Sequence, residues 1–147
     1  MSIEGTQEHL QKIGTTLFGA APEGWTSIEA RMSAVGHVGQ CLVYVSPGSQ
    51  NETRITTPGK ISGHFMRLRK LMYHEGKGTW YTATFTLKNT GSFNVDYDYD
   101  DEPNFLPPEP GPREYQLDHQ HFPRDEENIP EWLRQKLWEA ERGRGTP

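Results

Sequence analysis

The sequence predicts an α+β domain: an antiparallel β-sheet of about four to five strands packed against an N-terminal helix, a middle helix and C-terminal helices. Three observations carry this. Apolar residues recur at helical spacing near both ends of the chain and once in its middle. Separate stretches alternate apolar and polar residues with period two. The turn-forming "KNTGS" joins two such stretches as a hairpin. At 147 residues the chain suits one domain over 1–147, with 1–5 and 143–147 expected to fray.

Thr6 is placed to cap a first helix whose buried stripe is Leu10, Ile13 and Leu17, flanked by Phe18 and ending near "GAAPEG". In "WTSIEARMSAV", Ile28, Ala30, Met32 and Ala34 alternate with Glu29, Arg31 and Ser33, a half-buried strand. "HVGQCLVYVS" is denser in β-branched and aromatic residues, which predicts the more central strand. Pro47 to Asn51 has turn composition, and "TRITT" reads as a short edge strand. Pro58 opens a helix with Ile61, Phe65, Leu68 and Met72 on its apolar stripe and Gly76 as a candidate C-cap. Arg67, Arg69 and Lys70 fall outside that stripe, as a solvated face or a binding patch.

The hairpin follows, over "TWYTATFTLKNTGSFNVDYDYD". Strand alternation sets Phe93, Val95, Tyr97 and Tyr99 against Asn94, Asp96, Asp98 and Asp100 on the opposite side. "PNFLPPEPGP" holds five prolines in ten residues and so continues neither sheet nor helix, which makes it an extended surface loop. Helical pieces are expected at "REYQLDHQHF" and "PEWLRQKLWEAERG". In the second, Pro130 suits the first turn, and Ile129, Leu133 and Leu137 share a face beside Trp132 and Trp138.

Composition narrows the function classes. Hydrophobic residues make up only 33%, against 15 Gly and 11 Pro, which predicts a modest core and generous loops. No stretch approaches the ~20 apolar residues that cross a bilayer, and "MSIEGTQEHL" lacks a secretory signal pattern, so no membrane association and a cytoplasmic location are expected. Cys41, the single cysteine, reads as a small buried hydrophobe. The net charge of −5 is unevenly spread. Residues 92–131 hold twelve acids against Arg113 and Arg124, or −10, which leaves +5 on the rest. An acidic half disfavours nucleic acid, whose phosphates require clustered Lys and Arg, and favours a basic protein partner.

The acidity peaks in "SFNVDYDYDDEP". An EF-hand reading fails, because counting from Asp96 places Asp101 where glycine is required and Pro107 where glutamate is required. Alternate strand residues stand about 6.5 Å apart, too far to share one cation without strong bending. Glycoside-type acid and base chemistry needs two carboxyls in contrasting environments, and a row of like residues offers none. Asp118, His119 and His121 in "DHQH" lack HExxH or cysteine partners, and "GKGT" at Gly76 to Thr79 lacks the rest of a phosphate loop. No catalytic residue, metal site or cofactor is therefore expected. Two readings remain for the acids, a solvated face or a protein-binding face.

The ordered set "APEGW", "LRKLMYHEGKGTWYTATFTL", "GSFNVDYDYDDEP" and "HFPRDEENIPEWL" resembles the YezG-like antitoxin family of bacterial immunity proteins, over about Leu10 to Leu137. It is similar to an actinobacterial branch associated with polymorphic toxins, some bearing NAD glycohydrolase domains of the tuberculosis-necrotizing-toxin type. The resemblance implies a small cytoplasmic protein that binds and blocks a cognate protein toxin, a nuclease or an NAD glycohydrolase, with no catalytic residue of its own. Trp25, Trp80, Phe122 and Trp132 are expected as packing anchors, and Gly76, Gly78 and Gly91 as turn residues. That leaves Asp96, Asp98, Asp100, Asp101 and Glu102 as candidate toxin-binding acids, with Tyr97, Tyr99 and Phe105 as candidate aromatic anchors, the two tyrosines alternatively facing the core. Competing readings are a targeting or structural module of a toxin locus and, more remotely, a hydrolase using the acids. Oligomeric state is open.

Overall fold

The computed structural model describes residues 3–47 and 52–143. Residues 48–51 of the turn expected at Pro47 to Asn51, and residues 1–2 and 144–147 of the ends expected to fray over 1–5 and 143–147, lie outside these residues; Ile3 to Gly5 and Gly143 are helical instead. Helix α1 (Ile3–Ala20) leads into strands β1 (Ser27–Val35), β2 (Val38–Ser46) and β3 (Thr53–Ile55), then α2 (Ile61–Leu71). The hairpin β4 (Thr82–Lys88) and β5 (Phe93–Asp98) is followed by α3 (Pro112–His121), a 3-10 turn at Glu126–Asn128, and α4 (Glu131–Gly143). The five strands form one antiparallel sheet in the order β3-β2-β1-β4-β5.

The expected α+β architecture is thus present, and period-two alternation placed the core correctly. Ile28, Ala30, Met32 and Ala34 of β1 pair across to Val45, Val43, Cys41 and Gly39 of β2, and the first three also to Leu87, Phe85 and Ala83 of β4. Leu10, Ile13 and Leu17 of α1 and Ile61, Phe65 and Leu68 of α2 are buried in the same cluster, together with Trp80. A second, smaller cluster gathers Val35, Tyr81, Phe105, Tyr115 and Leu133 where β1 ends and β4 begins, and α3 and α4 pack there.

Several local expectations are corrected. The central strand is β1, not β2. The density of β2 misled because Leu42 and Tyr44 are half-buried on the face turned away from α1 and α2, where the Arg31 guanidinium sits 4.3 Å above the Tyr44 ring. Thr6 lies inside α1, which starts at Ile3, rather than capping it. Helix α2 ends at Leu71 with Met72 as its cap; Gly76 instead takes a left-handed φ of +82° in a later turn, where a Cβ would come within 2.5 Å of an Asp125 carboxylate oxygen.

Arg69 is the largest departure. It is neither a solvated charge nor a binding residue, with 1% of its surface exposed. Its Nη1 and Nη2 donate to the two carboxylate oxygens of Asp118 at 2.5 and 2.8 Å, and its Nε donates to the Trp80 carbonyl at 2.7 Å. Asp118 also accepts from the Gly36 backbone N–H at 2.9 Å, so one buried pair ties α2, α3, β4 and the β1–β2 turn. Arg124 forms a second buried clamp. It donates to the carbonyls of Asn128, Thr79 and Tyr99, and both guanidiniums lie over the Tyr81 ring, at 5.4 and 5.2 Å. Gly78, at φ +76°, is what admits Arg124, since a Cβ there would meet its Nε at 2.6 Å.

Candidate functional site

Helices α1 and α2 cover one face of the sheet, and most of the other face is polar. Its rows run across strands: Tyr44, Glu29, Thr86 and Asn94 in one, Leu42, Arg31, Thr84 and Asp96 in the next, Gln40, Ser33, Thr82 and Asp98 in the third. The acids of β5 therefore rest on a bed of threonines. Thr82, Thr84, Asp96, Asp98 and Asp100 line a shallow groove of about 400 Å³ together with Tyr97 and Tyr99.

Backbone geometry fixes the loop that continues β5. One carboxylate oxygen of Asp98 accepts from the N–H groups of Asp100 at 3.0 Å and Asp101 at 2.9 Å, closing a tight turn at the strand end. The Trp132 indole donates to the Asp100 carbonyl at 2.7 Å, and Arg124 holds the Tyr99 carbonyl. Partial burial pushes the Asp98 carboxyl upward, but the two N–H donors more than offset it and hold the group below the usual carboxylate range. Asp101 is displaced the other way, chiefly by its hydrogen bond with Asp98.

The acids differ in their surroundings. Asp100 lies 3.9 Å from Arg124 and Glu102 lies 3.6 Å from Lys136. Asp96, Asp98 and Asp101 have no cationic partner among the described residues, and Asp96, Asp100, Asp101 and Glu102 are exposed. Asp118, which sequence alone adds to the acidic surface, is removed from it by Arg69.

The aromatic candidates divide. Tyr97 and Tyr99 are half-buried against the main core. Tyr97 packs 5.9 Å from Trp80, and the Tyr99 hydroxyl donates to the Met72 carbonyl at 3.1 Å. Their backbone lines the acidic groove while their rings lie on the other side of β5. Phe105 is 8% exposed and belongs to the second cluster, so it anchors the proline-rich loop inward instead of offering a contact. Leu106, 42% exposed, takes the outer position there, with its backbone N–H bonded to the Gln40 side chain at 2.8 Å. Trp25 and Phe122 are half-buried, Trp132 packs on the second cluster, and Trp80 is fully enclosed, as packing anchors require.

Two surface features had no clear sequence signal. Phe93, 36% exposed, stacks on Phe85 at 4.9 Å and with Gly14, Phe18 and Leu87 lines an apolar groove of about 410 Å³ between α1 and β5. On the far side of α1, Arg67, Lys70, His9, Leu71 and Tyr73 line a separate groove of about 510 Å³. Among the described residues no group of three His, Cys, Asp or Glu side chains is arranged to hold a metal ion, and no helix is long and apolar enough to cross a membrane. Cys41 is partly buried, and burial pushes its thiol up to about 12 against an opposing hydrogen bond from Ser62.

The chemistry available to this surface is recognition of positive charge by fixed carboxylates. A family model described as "Immunity protein YezG-like" matches residues 55–128, just over half of the chain, from the end of β3 through the 3-10 turn. That span holds both arginine clamps and the whole acidic strand and loop. No curated protein matches the chain.

Proposed function

The chain belongs to the YezG-like immunity protein family, and from that membership we propose that it neutralises a cognate protein toxin by stoichiometric occlusion, without catalysis. The surface that does so is the outward row of β5 and the loop after it: Asp96, Asp98, Asp100, Asp101 and Glu102, with the backbone of Tyr97 and Tyr99 between them. The partner surface is a cationic groove, such as an enzyme uses to hold a nucleic acid or a phosphate-bearing dinucleotide. This fits a nuclease or an NAD glycohydrolase alike.

The observation that carries the reading is the fixed geometry of the acidic turn. Asp98, Trp132 and Arg124 hold the backbone of Tyr99, Asp100 and Asp101 in place before any partner arrives. A solvated acidic face needs no such bracing. A binding face gains from it, because ordering a loop on contact subtracts from affinity. Like charges held together also speed capture of an oppositely charged protein.

The test is co-expression with the toxin encoded beside the gene, scored for host survival and for a complex that co-purifies. The charge reversals Asp96→Lys and Asp101→Lys, at exposed positions outside the core, should leave folding intact. They should slow association by about tenfold or more at low salt, with the difference shrinking as salt rises. Survival and complex formation unaffected by both reversals would remove the acidic surface from the interface. A complex that forms while the toxin stays lethal would favour a targeting module.

A further inference from the structure

We infer that β5 captures its partner by strand addition, and that the segment it accepts is an extended strand alternating basic and apolar side chains. The inference rests on the reading of this chain as a toxin-binding immunity protein.

The sheet has two edges, and they are unlike. Strand β3 is three residues long, a blunt edge. Strand β5 runs six residues, from Phe93 to Asp98, without proline or lysine, and pairs with β4 alone. The backbone N–H of Lys88 donates to the Ser92 carbonyl at 2.8 Å, and that of Tyr81 to the Asp98 carbonyl at 2.9 Å, so the even-numbered residues of this run turn their polar groups toward β4. In an antiparallel ladder the alternate residues then point theirs away. Phe93, Val95 and Tyr97 thus present a row of outward N–H and C=O groups, enough to bond a short strand.

The two sides of that edge specify the side chains of the occupant. A residue set opposite Asp96 or Asp98 lies on the acidic open face, within reach of their carboxylates, and is matched by Lys or Arg. Residues set opposite Phe93 and Val95 point to the other side, and at the Phe93 end that side borders the apolar groove lined by Gly14, Phe18, Leu87 and Phe93. Gly14 keeps that groove open on the helix side, because a Cβ there would stand 3.5 Å from the Phe85 ring and 4.0 Å from Phe93. A second copy of this chain is a poor occupant. Antiparallel pairing of two β5 strands would crowd both acidic rows onto one face of the joint, which like-charge repulsion disfavours.

Amide hydrogen exchange followed by NMR, on the protein alone and in complex with the toxin encoded beside its gene, tests this directly. The amides of Asn94 and Asp96 should be protected in both states. Those of Phe93, Val95 and Tyr97 should exchange freely in the protein alone and slow by about 100-fold or more in the complex. A complex whose three outward amides keep their free rates would overturn strand addition and leave the immunity reading standing. Absence of any complex would overturn both. A dimer with those amides already protected in the protein alone would show that the occupant is a second copy. As a second line, Val95→Pro removes one outward donor and no ladder bond, as an edge strand tolerates. It should fold, and bind at least about tenfold more weakly. A folded Val95→Pro protein with unchanged affinity would also overturn the proposal.

Discussion

Replacing Asp118 by alanine should be among the most damaging single changes to the stability of this protein. Asp118 takes two of the three hydrogen bonds that the Arg69 side chain donates, and it accepts from the Gly36 N–H. Both members of the pair are almost fully enclosed. Asp118→Ala leaves a buried guanidinium with only the Trp80 carbonyl, a loss of about 3–5 kcal/mol. The orphaned Gly36 N–H adds about 1 kcal/mol. Against a total stability of roughly 5–15 kcal/mol for a domain, that is a third or more. With a urea slope of about 2 kcal/mol/M, the unfolding midpoint should fall by about 2–3 M. The double change Arg69→Met with Asp118→Leu, which removes the charge along with its partner, should recover most of the loss. Urea titrations of the three proteins at pH 7 decide it. A midpoint shift under about 0.5 M for Asp118→Ala, or a double variant no more stable than the single, would refute the clamp as the tie between α2 and α3.

Alkali should weaken the fold through Tyr81. Burial, aided by Asp118, pushes its phenol up to about 12, above the ordinary value near 10. Its contribution is therefore whole below pH 10 and is lost as the pH climbs through 12, about 3 kcal/mol in all, about half of it by pH 11; urea midpoints at pH 8 and pH 11 register this, and Tyr81→Phe should remove its own share while that of Tyr97 and Tyr115, whose phenols burial also raises, remains. Cys41 should resist aromatic disulfide reagents at pH 8 in the native protein and react promptly in denaturant, a contrast followed by absorbance. At the acidic turn, Asp98→Asn keeps an acceptor for the N–H groups of Asp100 and Asp101 while Asp98→Ala removes it. Alanine should accordingly weaken toxin binding by about tenfold more than asparagine, by surface plasmon resonance at fixed salt. Gly78→Ala should destabilise by about 1–3 kcal/mol, from its positive φ and from displacing Arg124, as read by thermal unfolding.

Element type was legible wherever periodicity was clean. The stripe of α1, the alternation of β1 and the hairpin of β4 and β5 followed from spacing alone, because each buries one face against one layer. Strand order was not. An apolar residue on the face turned away from α1 and α2, such as Leu42 or Tyr44, looks in sequence like one in a core. The buried ion pair did leave a trace. Arg69 is four residues after Phe65 and three before Met72, and Asp118 stands three after Tyr115 and four before Phe122, so each charge sits on its helix's buried stripe. A charge in that position requires an opposite charge in reach. Phe105, by contrast, gave no signal, because no periodicity exists within a proline-rich loop to tell an inward side chain from an outward one.

The row of threonines beside β5 has a consequence for how this surface changes over generations. Asn94, Asp96 and Asp98 lie opposite Thr86, Thr84 and Thr82, small side chains that also face away from the helices. Apart from Asp98, whose carboxylate closes the turn, swapping the identity of a residue in the outer row displaces nothing packed against it. At Asn94 and Asp96 the hydrophobic interior and the outer row are mechanically uncoupled, and the charge presented there can change by point substitution while the scaffold stays as it was.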